Sequence, residues 1–238
     1  MKPDVFQLID LDRTLFDTAR FASALTHEVS HAEPELGKQL QQQVQASYEK
    51  EETFFLLRYL REERGDDWFE GVVQRIVSRL GAQAFKMAGF TERLELADTL
   101  SSAQPSWGIL TYGDEIDQRM KLAIVGLQDV PVYISDIPDK DQVIAAWQQP
   151  DGTFRLPAEL GGQEVAQLTL EDDKLRAFTH LPENVTGVWL TDDAAAQDRL
   201  AALSIETQQA VTIARNLAES SQYLQSAFAE SELLRDAS

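Results

Sequence analysis

Val5-Phe6-Gln7-Leu8-Ile9-Asp10-Leu11-Asp12-Arg13-Thr14-Leu15 is an apolar run that ends in two aspartates. Val5, Phe6, Leu8 and Ile9 bring β-branched, aromatic and aliphatic side chains without the strict alternation of a half-exposed strand. The run therefore reads as a buried strand of a parallel sheet. In open α/β sheets ligands bind beyond the carboxyl ends of the strands, and Asp10 and Asp12 stand there. Their i, i+2 spacing can turn both carboxylates toward one site, where a bound cation would relieve their repulsion and organise a phosphate. An ordinary acidic turn is the competing reading. Asp-x-Asp-x-Thr directly after a hydrophobic strand is, however, a demanding pattern.

Composition narrows the classes. At 238 residues and 43% hydrophobic content, the chain can bury a substantial core as one domain with a large insertion or as two modest domains. No apolar run approaches the ~20 residues of a membrane span, and Met1-Lys2-Pro3-Asp4 leads into the strand without a signal-peptide pattern. A cytoplasmic location is the expectation. Without cysteine there is no disulfide, thiol nucleophile or Cys-based zinc site, so a metal would rely on oxygen ligands. A formal net charge of −19 opposes binding to nucleic acid or to an anionic membrane, whose phosphates the long-range field repels.

Patterning changes along the chain. From residue 18 to about 100 apolar residues recur at helical spacing: Phe21, Leu25 and Val29, then Leu36, Leu40, Val44 and Tyr48. Trp68, Val72, Ile76 and Leu80, with Phe69, Val73 and Val77 beside them, form the clearest stripe, preceded by Asp66-Asp67 and closed by Gly81. The aromatic cluster Phe54-Phe55-Leu56-Leu57 reads as packing within this helical region. Beyond it, Ser106–Thr111, Pro131–Ser135, Glu164–Leu170 and Thr186–Leu190 read as strands. Helices are expected over 115–126, ended by Gly126, and from 141 to 147. Residues 205–238 read as strand plus helix or mostly helix. Alternating strands and helices imply a parallel sheet with right-handed crossovers, interrupted by one helical insertion.

Three further stretches carry chemistry. In Trp107-Gly108-Ile109-Leu110-Thr111-Tyr112-Gly113-Asp114 a strand delivers the Thr111 hydroxyl to a phosphate, and the backbone N–H groups around Tyr112 and Gly113 add donors. Lys140 follows a strand and opens a helix, where its ammonium could hold an aspartate nucleophile and a phosphate together. Lys121 competes for this role, but it falls inside a helix. Two acidic pairs follow later strands, Asp172-Asp173 and Asp192-Asp193, and either could complete a metal site; the first, which follows Lys140 by the next strand, is preferred, and the second then reads as an ordinary loop or helix N-cap. His27 and His31 share a helix face without an adjoining acidic motif, His180 falls in a loop, and Trp147 and Trp189 read as packing residues.

Taken together these motifs resemble the haloacid dehalogenase superfamily, in which a hydrophobic strand is followed by Asp-x-Asp-x-Thr, here Asp10-Leu11-Asp12-Arg13-Thr14. The resemblance implies an α/β fold. It would be a Rossmann-like parallel-sheet core formed by residues 1–17 and 101–238, carrying an α-helical cap over 18–100. It also implies that Asp10 is the nucleophile of a phosphatase and Asp12 its acid and base, since the dehalogenases proper lack the second aspartate. Thr111, with Tyr112 and Gly113, is similar to the second motif, and Gln118 and Lys121 continue a pattern common in capped members. Lys140 matches the third motif. Asp172-Asp173-Lys174 resembles the fourth, which favours Asp172 as the metal ligand with Asp173 in support. Mg2+ would then be held by Asp10, the backbone carbonyl of Asp12 and Asp172, and the substrate would be a small phosphorylated metabolite. A phosphomutase, or a non-catalytic phospho-ligand or partner-binding module, is the alternative on the same residues. Two departures stand out. Arg13 occupies a place that is often Gly, where it could recognise an anionic substrate or point to solvent, and the second acid about four residues beyond Asp172 is absent.

Overall fold

A computed structural model describes residues 4–50, 56–100 and 105–236; of residues 44, 47–50 and 231–236 it describes the backbone alone. The chain runs β1 (Val5–Ile9), α1 (Thr18–Ala32), α2 (Pro34–Lys50), α3 (Leu56–Arg64), α4 (Asp66–Leu80) and α5 (Phe90–Leu100). Next come β2 (Trp107–Tyr112), α6 (Glu115–Val125), β3 (Val132–Ser135), α7 (Lys140–Ala145), β4 (Phe154–Arg155) and β5 (Glu164–Val165). The last elements are β6 (Gln167–Asp172), β7 (Val185–Leu190), α8 (Ala196–Ala201), α9 (Ile205–Ala210), β8 (Val211–Ala214) and α10 (Leu217–Asp236). They divide into two compact units, one of residues 1–15, 87–113 and 129–238 and one of residues 16–86 and 114–128.

The first unit is built on a six-stranded sheet of order β3-β2-β1-β6-β7-β8, with every neighbouring pair parallel. From β1 the chain adds strands outward on one side through β2 and β3, then on the other through β6, β7 and β8. The reversal falls between β1 and β6, where the helices of a doubly wound sheet diverge and open a crevice beyond the strand ends. All five residues of β1 are buried, as its unbroken apolar pattern requires. Phe6 and Leu8 pack with Leu110, Leu168, Leu170, Phe178 and Trp189 in the core.

The expected strand Glu164–Leu170 is two elements. Glu164–Val165 pairs antiparallel with β4 in a separate two-stranded sheet, and β6 runs on through Glu171 and Asp172. Two acids can end a buried strand because both are matched by cations. Glu171 is 1% exposed, and Arg93 from α5, itself 0% exposed, donates to its Oε2 through Nε and Nη2, both at 2.7 Å. The Ser220 hydroxyl of α10 donates to the other oxygen, and Arg93 Nη2 also reaches Gln7 Oε1 at 3.0 Å. Gln7 in turn donates to the carbonyl of Ala97 at 2.9 Å. Four elements thus share one buried polar network. Residues 205–238 combine the expected strand and helix: β8 joins the sheet and α10 follows it.

The second unit is helical. Phe16, Phe21 and Phe85 form its aromatic centre, with Phe16–Phe21 and Phe21–Phe85 ring centroids 5.4 Å apart and edge-on. Helix α4 turns a slightly different face inward than the expected stripe. Phe69, Val72, Val73 and Ile76 are buried, whereas Leu80 is 37% exposed. Helices α1 and α2 approach so closely at Gly37 that a Cβ there would lie 2.5 Å from the Cα of Ser30. Arg61 ties α3 to α6, its Nη2 donating to Asp114 and Asp117 at 2.7 and 2.8 Å, while Asp114 caps α6 by accepting from the Ile116 and Asp117 amides. Helix α6 ends at Gly126 in the left-handed conformation, as its sequence predicts. Phe54 and Phe55 and the side chains of Val44 and Tyr48 lie outside the described residues, whereas Leu57 is buried on α3. Among the described residues no helix is long and apolar enough to cross a membrane.

The Arg93–Glu171 pair yields a stability test. Breaking one side of a buried ion pair leaves the other charge uncompensated, so Glu171→Gln is expected to lower unfolding free energy by about 3–5 kcal/mol. Replacing both residues with methionine should cost less than either single change. Urea unfolding monitored by circular dichroism measures both, and a loss below about 1 kcal/mol for Glu171→Gln would show that the network carries little stability.

Candidate active site

Asp10 is the first residue past β1, and its N–H donates to the carbonyl of Glu171 at 2.9 Å, so the two central strands stay in register to their ends. Asp172 closes β6 beside it. Lys140 opens α7, and its ammonium donates to Asp10 Oδ1 and, at 2.5 Å, to Asp172 Oδ2. All three side chains are at most 5% exposed. The remaining Asp172 oxygen accepts the Lys174 N–H at 2.7 Å, which holds the turn after β6. Burial would by itself lower the Lys140 pKa, but Asp10 and Asp172 outweigh it and hold the ammonium above its ordinary range.

Ligand oxygens of Asp10, Asp172 and Asp173 lie within 4.8 Å of one another. One lysine does not balance three carboxylates. Burial pushes Asp10 from 3.8 up to about 7, with Lys140 pulling against the rise and Asp172 and Asp173 adding to it. Burial and the neighbouring Asp172 likewise push Asp173 up to about 6. A cluster of oxygen donors with surplus negative charge fits a hard divalent cation. The residues present therefore suit Mg2+.

Thr111 on β2 is 1% exposed, and its Oγ1 has no hydrogen-bond partner among the described residues. It lines the same pocket as Asp10, Asp12, Tyr112, Lys140 and Asp172. A buried hydroxyl without a partner in a pocket is a donor available to a ligand's acceptor. Gly113 follows Tyr112 with φ 148°. The structure thus brings Asp10, Asp12, Thr111, Tyr112, Lys140 and Asp172 together, with Asp173 in the acid cluster. Lys121, on α6 in the helical unit, is buried with its Nζ 3.5 Å from Gln118 Oε1. Asp193 is exposed and engaged by Arg199 at 3.0 Å and by the Ala195 amide, and Asp192 is exposed beside it. His27, His31 and His180 are exposed.

Arg13 has φ 64°, the left-handed region, which explains why glycine suits this place. Its side chain is 66% exposed, and its Nε lies 3.5 Å from Asp173 Oδ2. Two features escaped the sequence reading. Trp189, beyond packing, donates its indole N–H to the Asp173 carbonyl at 3.1 Å and pins the acidic turn. Lys174 and Arg176 also line the pocket; Arg176 stands four residues beyond Asp172, where the second acid of the resembled pattern is absent.

No protein-family model matches the sequence, and no curated protein matches it. Solved structures do. A haloacid dehalogenase-like hydrolase from Burkholderia xenovorans aligns with TM-score 0.56 at 18% identity, over 90% of this chain and 96% of that one. A haloacid dehalogenase-like family hydrolase from Xanthomonas campestris aligns over 96% and 97% with TM-score 0.49 and 16% identity. A hydrolase of the same description from Deinococcus radiodurans aligns over 98% and 97% with TM-score 0.49 and 18% identity. The Burkholderia likeness, together with the strand order, gives this chain the haloacid dehalogenase-like fold.

Two expectations follow from the site. Relief of the left-handed backbone should make Arg13→Gly more stable by about 1 kcal/mol in thermal unfolding, less whatever the contact with Asp173 contributes; a clear loss of stability would show that the ion pair outweighs the strain. The second concerns pH. A carboxyl whose folded pKa lies above its unfolded 3.8 stabilises the fold at low pH, and that contribution drains away as pH rises toward about 7 for Asp10. In chelator the melting temperature should therefore fall between about pH 4 and 7 more steeply for the native protein than for Asp10→Asn. Equal slopes would exclude a raised Asp10.

Proposed function

We propose that the protein is a Mg2+-dependent phosphatase that hydrolyses a small phosphorylated metabolite, such as a sugar phosphate or nucleotide, through an aspartyl-phosphate on Asp10. The observation that carries this reading is the buried Asp10–Lys140–Asp172 arrangement facing the unpartnered Thr111 hydroxyl in one pocket. A nucleophilic carboxylate, a fixed ammonium and an unmet hydroxyl donor are the parts that phosphoryl transfer to an aspartate requires.

In the first step Asp10 attacks phosphorus while the bond to the leaving alcohol breaks, and Asp12 gives its proton to the departing oxygen. A water then attacks phosphorus as Asp12 takes its proton, and the bond to Asp10 breaks. One carboxyl group thus serves as acid and then as base. Lys140 and Thr111 hold the phosphoryl oxygens whose charge the transition state spreads. Asp10, Asp172 and the carbonyl of Asp12 would hold Mg2+, with Asp173 beside them. When bound, the ion supplies the positive charge that lets an anion approach a carboxylate. Asp12 is the residue that separates this reading from carbon–halogen cleavage.

Phosphate release from a panel of phosphorylated metabolites with Mg2+ tests the reading. Asp10→Asn is expected to lower turnover at least about 10³-fold and Thr111→Ala about 10²-fold, and chelation should abolish it. Turnover retained by Asp10→Asn would remove Asp10 as nucleophile. Halide release would point to a dehalogenase, and retained phosphate with activation by a bisphosphorylated substrate to a mutase. A folded, metal-loaded protein without turnover would favour a ligand-binding module.

A further inference from the structure

We propose that Lys174 and Arg176 form a subsite for a second anionic group, so that the monoester cleaved here carries a carboxylate or another phosphate besides the phosphoryl group that reacts. This inference deepens the phosphatase reading and rests on it. Both residues line the pocket that contains Asp10, Thr111 and Lys140, and both are exposed.

Lys140, held by Asp10 and Asp172, stands at the reacting phosphoryl group and does not serve a second anion. Lys174 faces Asp173, whose carboxyl feels its charge. Arg176 differs from both. Its guanidinium has no hydrogen bond or ion pair among the described residues, whereas Arg61 and Arg93 are each tied to carboxylates. Nor is it on a loose loop. It sits in the 3-10 turn Leu175–Phe178, whose Ala177 and Phe178 are 1% and 0% exposed. The Ala177 amide donates to the Lys174 carbonyl at 3.0 Å, and the Thr179 hydroxyl to the Arg176 carbonyl at 2.8 Å. The turn begins three residues after Asp172, which is itself fixed by the Lys174 amide.

An arginine anchored through its backbone, with its fork left open, is suited to bidentate capture of a carboxylate or phosphate. Were the two cations only to attract the reacting phosphoryl group, they would favour every monoester alike. A subsite favours those that carry a second charge.

Two matched pairs separate these cases: 3-phosphoglycerate against glycerol 3-phosphate, and fructose 1,6-bisphosphate against fructose 6-phosphate. The Mg2+-loaded native protein is expected to prefer the more highly charged member of at least one pair by about ten-fold in kcat/KM, and Arg176→Gln to erase that preference. The carboxylate and phosphate sources are told apart by which pair responds. Calorimetric binding of the same four compounds to Asp10→Asn reads the preference without turnover. Equal kcat/KM within both pairs, or a preference that survives Arg176→Gln, overturns the subsite and leaves the phosphatase intact. Preferential binding, lost in the Asp10→Asn/Arg176→Gln protein and with no phosphate release by the native enzyme, would keep the subsite and overturn the phosphatase. Neither binding preference nor release overturns both.

Discussion

The ammonium of Lys140 between Asp10 and Asp172 is the contact on which the site depends. Two carboxylates at the ends of adjacent buried strands repel, and burial pushes Asp10 toward its neutral form while Lys140 pulls against it. With Lys140 between them, both acids stay within reach of one ligand. The sheet makes the meeting possible, because the order reverses between β1 and β6 and parallel pairing brings both carboxyl ends to the same edge. Glu171 joins the two requirements. Its backbone carbonyl accepts the Asp10 amide, while its side chain is fixed from behind by Arg93 and Ser220.

How much of this could be read from the chain depends on range. β1 was legible because a doubly buried strand needs no partner to be recognised, and the caps of α6 are written locally in Asp114 and Gly126. Asp10, Thr111, Lys140 and Asp172 could be named because each directly follows or ends an apolar strand, or opens the helix after one. The end of β6 was not legible. Glu171 and Asp172 look like a turn until Arg93 and Lys140 are known to cover them, and both partners come from distant parts of the sequence. The inward face of α4 was missed by a small rotation because Trp68 and Phe69 are equally apolar, and packing alone decides between them. Arg176 gave no signal, since in sequence a lone arginine is indistinguishable from a solvated one.

The electrostatics of the molecule work on two scales. A net charge of −19 repels anions at long range, whereas the pocket mouth gathers Lys174 and Arg176 within a few residues. Over a Debye length of about 8 Å at physiological ionic strength the distant acids are largely screened and the nearby cations are not. An anionic ligand would therefore meet a weakly repellent exterior and an attractive entrance, and added salt would soften the first more than the second.

The register of β1 and β6 also sets an order of events during synthesis. Lys140 and Asp10 are 130 residues apart in the chain, and the strand that pairs with β1 on its β6 side is made later still. A ribosome adding about 5–20 residues per second exposes the most apolar strand of the sheet for many seconds before that neighbour emerges. Until then the strand has an open edge and its terminal acid has no fixed cation. The centre of the finished domain is thus the part of the nascent chain that waits longest to be covered, which makes β1 the segment a holding chaperone would be expected to grip.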